Sequence, residues 1–260
     1  MRLLRAARII DIAERLSFWR MAVSWRRNNK AFLADNPGFV APPLWLLYET
    51  TGHASYRMYH RTGAMTAKLI FSLLRRHMGK GKMRCLEWGC GPGRVIGKLA
   101  NNESIELCGS DYNPQSITWL KSAYPQIRFE KNEIDPPLRF ESNSFDMVYA
   151  LSVFTHLSEE GHMAWIAEIE RILKPGGIFI ASFHGEESLR YLQDFEKERF
   201  LQGELVVRGE VKEGSRLYCA YHPHSYLENV LFKRFEVLEV IKEPGQFMLQ
   251  SLWVIRKPAL

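Results

Sequence analysis

Cysteine is scarce: Cys85, Cys90, Cys108 and Cys219 are the only four in 260 residues, with no CxxC pair and no zinc-ligand spacing. That excludes a disulfide framework and predicts reduced, packed thiols. Long apolar runs are missing as well. No stretch approaches the roughly 18 residues of a membrane span, and MRLLRAARII has no clear apolar core with a cleavage site, so a cytoplasmic chain is expected. Low-complexity tracts are absent too. With 46% hydrophobic and 12% aromatic residues, the composition is that of a globular protein rather than a disordered one.

Most of the chain also lacks net charge. Residues 1–30 hold eight Lys/Arg against Asp11 and Glu14, which accounts for the whole formal charge of +6. The remaining residues balance at 27 basic and 27 acidic groups. A neutral body argues against nucleic acid as a partner, and any polyanion contact should fall on the arm. Within that arm, residues 3 to 27 read as a helix. Ile9, Ile12, Leu16, Trp19 and Val23 recur at steps of three and four, and arginines border the stripe. Such a helix suits an anionic membrane surface, but the more usual role of the stripe is to pack on its own domain or on a second copy of the chain. The segment ADNPGFVAPPLW breaks the helix, and a second helix is expected over about 55 to 77, stopped at Gly79.

Beyond Gly79, short apolar runs alternate with amphipathic ones. Strands are predicted at MRCLEW, IELCGS, IRFEK, FDMVYAL and GIFIASF, with helices from about Arg94, at NPQSITWLKSAY and at SEEGHMAWIAEIERILK. Right-handed strand-helix-strand crossovers give a parallel, doubly wound α/β sheet. The tail FEVLEVIKE and FMLQSLWVIRKP holds two strands joined too closely for a crossover, so that pair must be antiparallel. KPGG at 174–177 reads as a helix stop and turn into the fifth strand, and Asp146 as a turn ligand.

The segment CLEWGCGPGRV places Gly89, Gly91 and Gly93 directly after the first strand, where a backbone free of side chains can approach a nucleotide-like ligand. A dinucleotide fingerprint would need glycine at Arg94. Asp111 in CGSDYNP ends the second strand about twenty residues on, where a carboxylate can accept both ribose hydroxyls.

As a set, LEWGCGPGRV, SDYNP, FDMVYALSVFTHLSEE and ILKPGGIF resemble the class I S-adenosylmethionine-dependent methyltransferases over residues 80 to 183. The resemblance implies a Rossmann-like, mostly parallel seven-stranded sheet with an antiparallel last strand, here with an N-terminal helical extension. It also implies S-adenosylmethionine as cofactor and no metal. Gly89, Gly91 and Gly93 would pass under the methionine moiety and Glu87 would support its ammonium, directly or through water. Asp111 would hold the ribose, Tyr112 would lie against the adenine, and Asn132 and Glu133 would border its amine, with Ser152 beside the cofactor. Arg61 and Gly63 in RTG resemble a segment that closes over the methionine carboxylate. The organisation expected is an arm and cover over 1–54 and a methyltransferase domain over 55–260, with a substrate-cover insertion at 185–224.

A hydroxyl acceptor needs a base, and His156 and His184 fall at the carboxyl ends of the fourth and fifth strands, where ligands of such sheets sit. His222 and His224 in YHPHSY lack a third metal ligand and read as a turn or pocket wall. The insertion and VAPPLWLLYETTGHASYRMY make a cover rich in Trp, Tyr and Phe. The expectation is therefore O-methylation of a small sugar-like or natural-product-like acceptor, without nucleic acid. Peripheral membrane binding or self-association would fall to the basic helix. N- or C-methylation and a non-catalytic scaffold on the same fold are the alternatives.

Overall fold

Short, near-continuous apolar runs, buried on both faces, form the central strands of the sheet. In the computed structural model, which describes residues 2–242, 244–245 and 248–259 and only the backbone of 2–11, β1 (Met83–Trp88) pairs in parallel with β2 (Ile105–Asp111) and β4 (Phe145–Ala150). β2 continues to β3 (Arg128–Lys131), and β4 to β5 (Leu173–Phe183), again in parallel. Two insertion strands, β6 (Val206–Arg208) and β7 (Cys219–Tyr221), pair with each other in a separate two-stranded sheet. β8 (Glu236–Ile241) and β9 (Ser251–Arg256) close the main sheet, whose order is β3-β2-β1-β4-β5-β9-β8, with β9 antiparallel to both neighbours. The turn between them includes residues outside the described set.

Alternation along β1 sends Leu86 and Trp88 into one apolar layer and Cys85 into the other. All four cysteines are free thiols, three of them buried. One face is covered by α3 (Tyr56–Met78), α4 (Ile96–Leu99) and α5 (Pro114–Ala123), and the other by α6 (Glu159–Ile172). Side chains fix where the longer helices start. Ser55 caps α3, Asn113 caps α5 with Pro114 in its first turn, and Ser158 caps α6. KPGG lies inside β5, a correction to its reading as a turn ahead of the strand. Gly176 at φ +76° takes up an irregularity opposite Phe145 and Met147, so the ladder restarts without ending the strand. Asp146 accepts from the Arg84 amide and from Lys174.

The arm differs more from expectation. α1 runs Arg2–Asp35, eight residues past its expected end, and a helix α2 (Leu44–Thr51) follows the prolines. α1 packs through Phe18 on Trp45 and Tyr48, through Asn29 on the Ala54 carbonyl, and through Phe32 on Phe39 and His60. The stripe expected to pack is turned outward instead: Ile12, Leu16, Trp19 and Val23 are 59–70% exposed, and the side chain of Ile9 lies outside the described residues. The physical reason is that α1 carries two apolar faces, and the one with Phe18, Trp25 and Phe32 at seven-residue spacing docks. Among the described residues no helix is long and apolar enough to cross a membrane.

The insertion begins with a 3-10 turn at Glu186–Tyr191 and α7 (Asp194–Leu201) and continues through β6 and β7. A short helix α8 (His224–Tyr226) runs on as a π-helical turn, Leu227–Leu231, and leads the chain back to β8.

Candidate functional site

At the carboxyl ends of β1, β2, β3 and β4 lies a cavity of about 790 Å³. Its floor includes Gly89 and Gly91 of the glycine turn, at φ of +75° and +51°, while Gly93, at φ +89°, completes the turn outside the lining. Glycine is required there for space as well as conformation, since a Cβ at 89 would sit 2.3 Å from Val153 Cγ2 and one at 93 would sit 2.6 Å from Leu120 Cδ2.

Asp111 ties the end of β2 to that turn. One of its carboxylate oxygens accepts the Gly91 amide at 2.7 Å and the other the Asn113 amide at 2.8 Å. Each oxygen keeps a lone pair for a hydroxyl in the cavity that it lines. Asn132 donates to the Glu133 carbonyl, which leaves its Oδ1 buried with no partner among the described residues. An orphan acceptor on this wall is the complement of an amino group such as that of adenine. Tyr112 lines the same wall, its hydroxyl donating to the Gly214 carbonyl at 2.9 Å, while Glu133 sits at the exposed rim beside Lys131. Ser152, at φ +60°, donates to Gln250 and receives support through its amide from Ser182.

Glu87 is placed differently from a direct ammonium ligand. Its carboxylate lies under the turn, accepting from the Ile96 amide at 2.8 Å and the Tyr149 hydroxyl at 3.1 Å, and it does not line the cavity. Burial pushes its pKa up to about 8 against the pull of Arg94, Tyr149 and the Ile96 amide. Gly63 is where α3 crosses the turn, as a Cβ there would be 2.3 Å from the Arg94 carbonyl oxygen. Arg61 is exposed on α3 and away from the cavity lining.

The two candidate bases part company. His156 lines the cavity, and its Nδ1 lies 2.6 Å from the Tyr218 carbonyl. A carbonyl only accepts, so Nδ1 carries the hydrogen and Nε2 is a bare lone pair in the neutral ring. Burial lowers its pKa and keeps it neutral. His184 is outside the cavity lining, packed on the Tyr221 ring, with burial lowering its pKa to about 4. His222 is a core group rather than a pocket wall, with Nε2 2.7 Å from His162 Nε2, and His224 pairs with Glu186. No group of three His, Cys, Asp or Glu among the described residues has metal-binding geometry.

Sequence reasoning placed the roof in the segments 1–54 and 185–224 but did not single out which of their residues face the cavity. Trp45, Glu49 and Thr50 of α2, Glu14 and Arg15 of α1, and residues 210–212 and 214–217 of the insertion line the cavity. Arg216 joins these segments, bonding to Glu14 and to the Tyr48 hydroxyl and stacking 5.1 Å above the Tyr48 ring. No local pattern marks such residues, because their only common property is a meeting point in space.

Residues 85–177 match the family model described as a methyltransferase domain. The tRNA N(3)-methylcytidine methyltransferase trm140 of Schizosaccharomyces pombe is 24% identical over 205 residues, covering 75% of this chain and 64% of that protein. The sterol 24-C-methyltransferase erg6 of Aspergillus fumigatus is 34% identical over 114 residues, covering 41% of this chain and 29% of its own. The chain thus spans less than two thirds of either relative. Among solved structures, the methyltransferase in complex with the Trm112 methyltransferase activator of Haloferax volcanii superposes with a TM-score of 0.55 at 18% identity, covering 85% of this chain and all of that one. These findings overturn the expectation of a small-molecule acceptor with nucleic acid excluded and with the arm left to membrane or self-association. A named relative acts on tRNA, and the basic arm, to which any polyanion contact was already confined, presents five exposed cations along α1, of which Arg15 lines the cavity. With the β9-closed sheet, the glycine turn and the orphaned Asn132 acceptor all in place, the match identifies residues 85–177 as a methyltransferase domain, built on the Rossmann-like fold that the S-adenosylmethionine-dependent methyltransferases among the solved structures share.

Proposed function

We propose that this chain transfers the methyl group of S-adenosylmethionine to a nucleobase nitrogen of an RNA of the tRNA kind. One observation carries the reading. Arg15, Arg20, Arg26, Arg27 and Lys30 stand exposed along α1, and Arg15 itself lines the cavity. None of the five is in an ion pair with another described residue. A row of exposed cations on a helix about 50 Å long, at 1.5 Å per residue, is a track for a phosphate backbone. Exposed Trp19 among them offers a face on which an unpaired base can stack. The same reading takes 1–54 and the insertion 185–224 as one cover over a domain spanning 55–260.

Asp111, Asn132, Tyr112 and the glycine turn would hold the cofactor, which supplies an electrophilic methyl group when bound. A cavity of about 790 Å³ leaves room for a pyrimidine in front of it. The cavity would set an acceptor nitrogen in line with the methyl group and opposite the sulfur, which would leave as a thioether, and the roof of α1, α2 and the insertion would exclude water. His156 Nε2 accepts from an amino group of the base and takes the proton where the attacking nitrogen carries one.

The test is methyl transfer from radiolabelled S-adenosylmethionine to total tRNA, to a sterol suspension and to small hydroxylated acceptors in parallel. Label in the tRNA, lost in the triple variant Arg15→Glu, Arg20→Glu, Arg26→Glu and weakening steeply with salt, is the expected result. Label only in the sterol or the small acceptors overturns it.

A further inference from the structure

We propose that Glu49 is a second carboxylate for the cofactor ribose, carried to the cavity beside Asp111 by the N-terminal arm. The proposal rests on the reading of the cavity as the cofactor site.

Glu49 belongs to α2, well outside the matched residues 85–177, and it lines the cavity together with Asp111 and Asn113. Its position is fixed from two sides. Asn113 spends its side-chain oxygen capping α5 through the Gln115 and Ser116 amides, which frees its amide nitrogen to reach Glu49 Oε2 at 3.3 Å. The next residue, Thr50, sits over the glycine turn, where a Cβ on Gly91 would come within 3.2 Å of its Cγ2. α2 therefore rests directly on the turn and on the loop after β2.

The second oxygen of Glu49 has no hydrogen-bond partner among the described residues, and no described cation lies within ion-pair distance. Burial, and behind it the charge on Asp111, raise the Glu49 carboxyl above its ordinary value, while Asn113 and the more distant Arg216 pull it down. Two carboxylates that repel each other on one cavity wall are relieved by a ligand that brings hydrogen-bond donors to both. A vicinal diol does this, one hydroxyl to each acid. The buried, partnerless Oδ1 of Asn132 on the same lining points independently to a nucleoside, since it asks for an amino donor.

Calorimetry on the full chain separates the possibilities. The ligands are S-adenosylmethionine and 5′-methylthioadenosine, which keeps the nucleoside and lacks the amino-acid arm. Glu49→Gln should weaken both by about tenfold or more, as expected for a hydrogen bond to a charged acceptor, and Glu49→Asp should fall between it and the parent. Thermal unfolding of each variant confirms that it is folded. If Asp111→Asn weakens both ligands while Glu49→Gln and Glu49→Asp change neither, the Glu49 assignment is wrong. If Glu49→Gln weakens only S-adenosylmethionine, Glu49 serves the ammonium and the ribose assignment falls. If neither acid matters, the cavity is not the cofactor site at all.

Discussion

The floor and the roof of the cavity are built by opposite means. On the floor, the binding groups are backbone or are pinned by it, as where the Gly91 and Asn113 amides fix both oxygens of Asp111. On the roof, side chains hold segments far apart in sequence: Arg216 to Glu14 and Tyr48, Tyr112 to the Gly214 carbonyl, Glu213 to the Ser158 amide. Backbone pinning leaves little freedom and suits a constant ligand, whereas side-chain ties can be rebuilt one at a time. On the reading proposed above, the cofactor half of the site would be set mainly by the sheet, with Glu49 as the one acid that reaches it from the roof, and the acceptor half by what is grafted over it.

The largest effect should come where the two halves meet. His156 extends from the end of β4 and is tied to the insertion through the Tyr218 carbonyl. If its Nε2 receives the acceptor proton, His156→Ala should lower turnover by about 10² to 10⁴ with unchanged cofactor affinity. Burial sets its pKa below 6.5, so the acid limb of the rate profile should lie below pH 6.5 and vanish in the variant. The same displacement acts on folding: the unfolded chain binds this proton more readily than the folded one, so acidification through that range costs stability that the variant keeps. A limb at or above 6.5, or full turnover in the variant, would make His156 a bystander.

A second contrast sets rigid floor against yielding roof. Gly89 and Gly91 both have positive φ, but a Cβ at 89 meets Val153 at 2.3 Å, whereas one at 91 meets the Thr50 side chain at 3.2 Å. Gly89→Ala should destabilise by roughly 2–3 kcal/mol, from left-handed strain plus overpacking, and Gly91→Ala by about 1 kcal/mol, from strain alone. Adding Val153→Ala to the first should recover the packing part and leave the conformational part. Equal losses by denaturant unfolding would mean that α2 is as rigid as the floor.

The same division decides what could be read from sequence. Short apolar runs placed the strands of the main sheet, and the glycine turn with an acid twenty residues on singled out Asp111, because these signals are local. α2 went unseen behind Pro42 and Pro43, which read as a break although proline is tolerated just before a helix. For Glu87 only the direct contact is set aside, because strand alternation gives a side, not a depth, and the carboxylate turns under the loop to Ile96 and Tyr149. His156 and His184 looked equivalent at two strand ends; only the fold of the insertion, which packs Tyr221 on His184, separates them. The cations of α1 were legible as a cluster in residues 1–30, but hydrophobic periodicity did not show which of the helix's two apolar faces docks.

The smallest effect on stability should come from the tie across the roof. The Arg216 and Glu14 side chains are 29% and 28% exposed, and ion pairs as open as this contribute about 0.2–1 kcal/mol. Arg216→Gln should therefore shift the melting temperature by only a degree or two. Both residues nonetheless line the cavity and hold α1 against the insertion, so the variant should raise the acceptor KM several-fold and leave cofactor affinity alone. Arg216→Lys keeps the charge but not the planar fork that bonds Glu14 and Tyr48 while lying over the Tyr48 ring, and it should recover only part of the loss. A variant that melts many degrees lower, or loses cofactor affinity in step with acceptor affinity, would show that roof and floor are one cooperative unit and that the contrast between them is false.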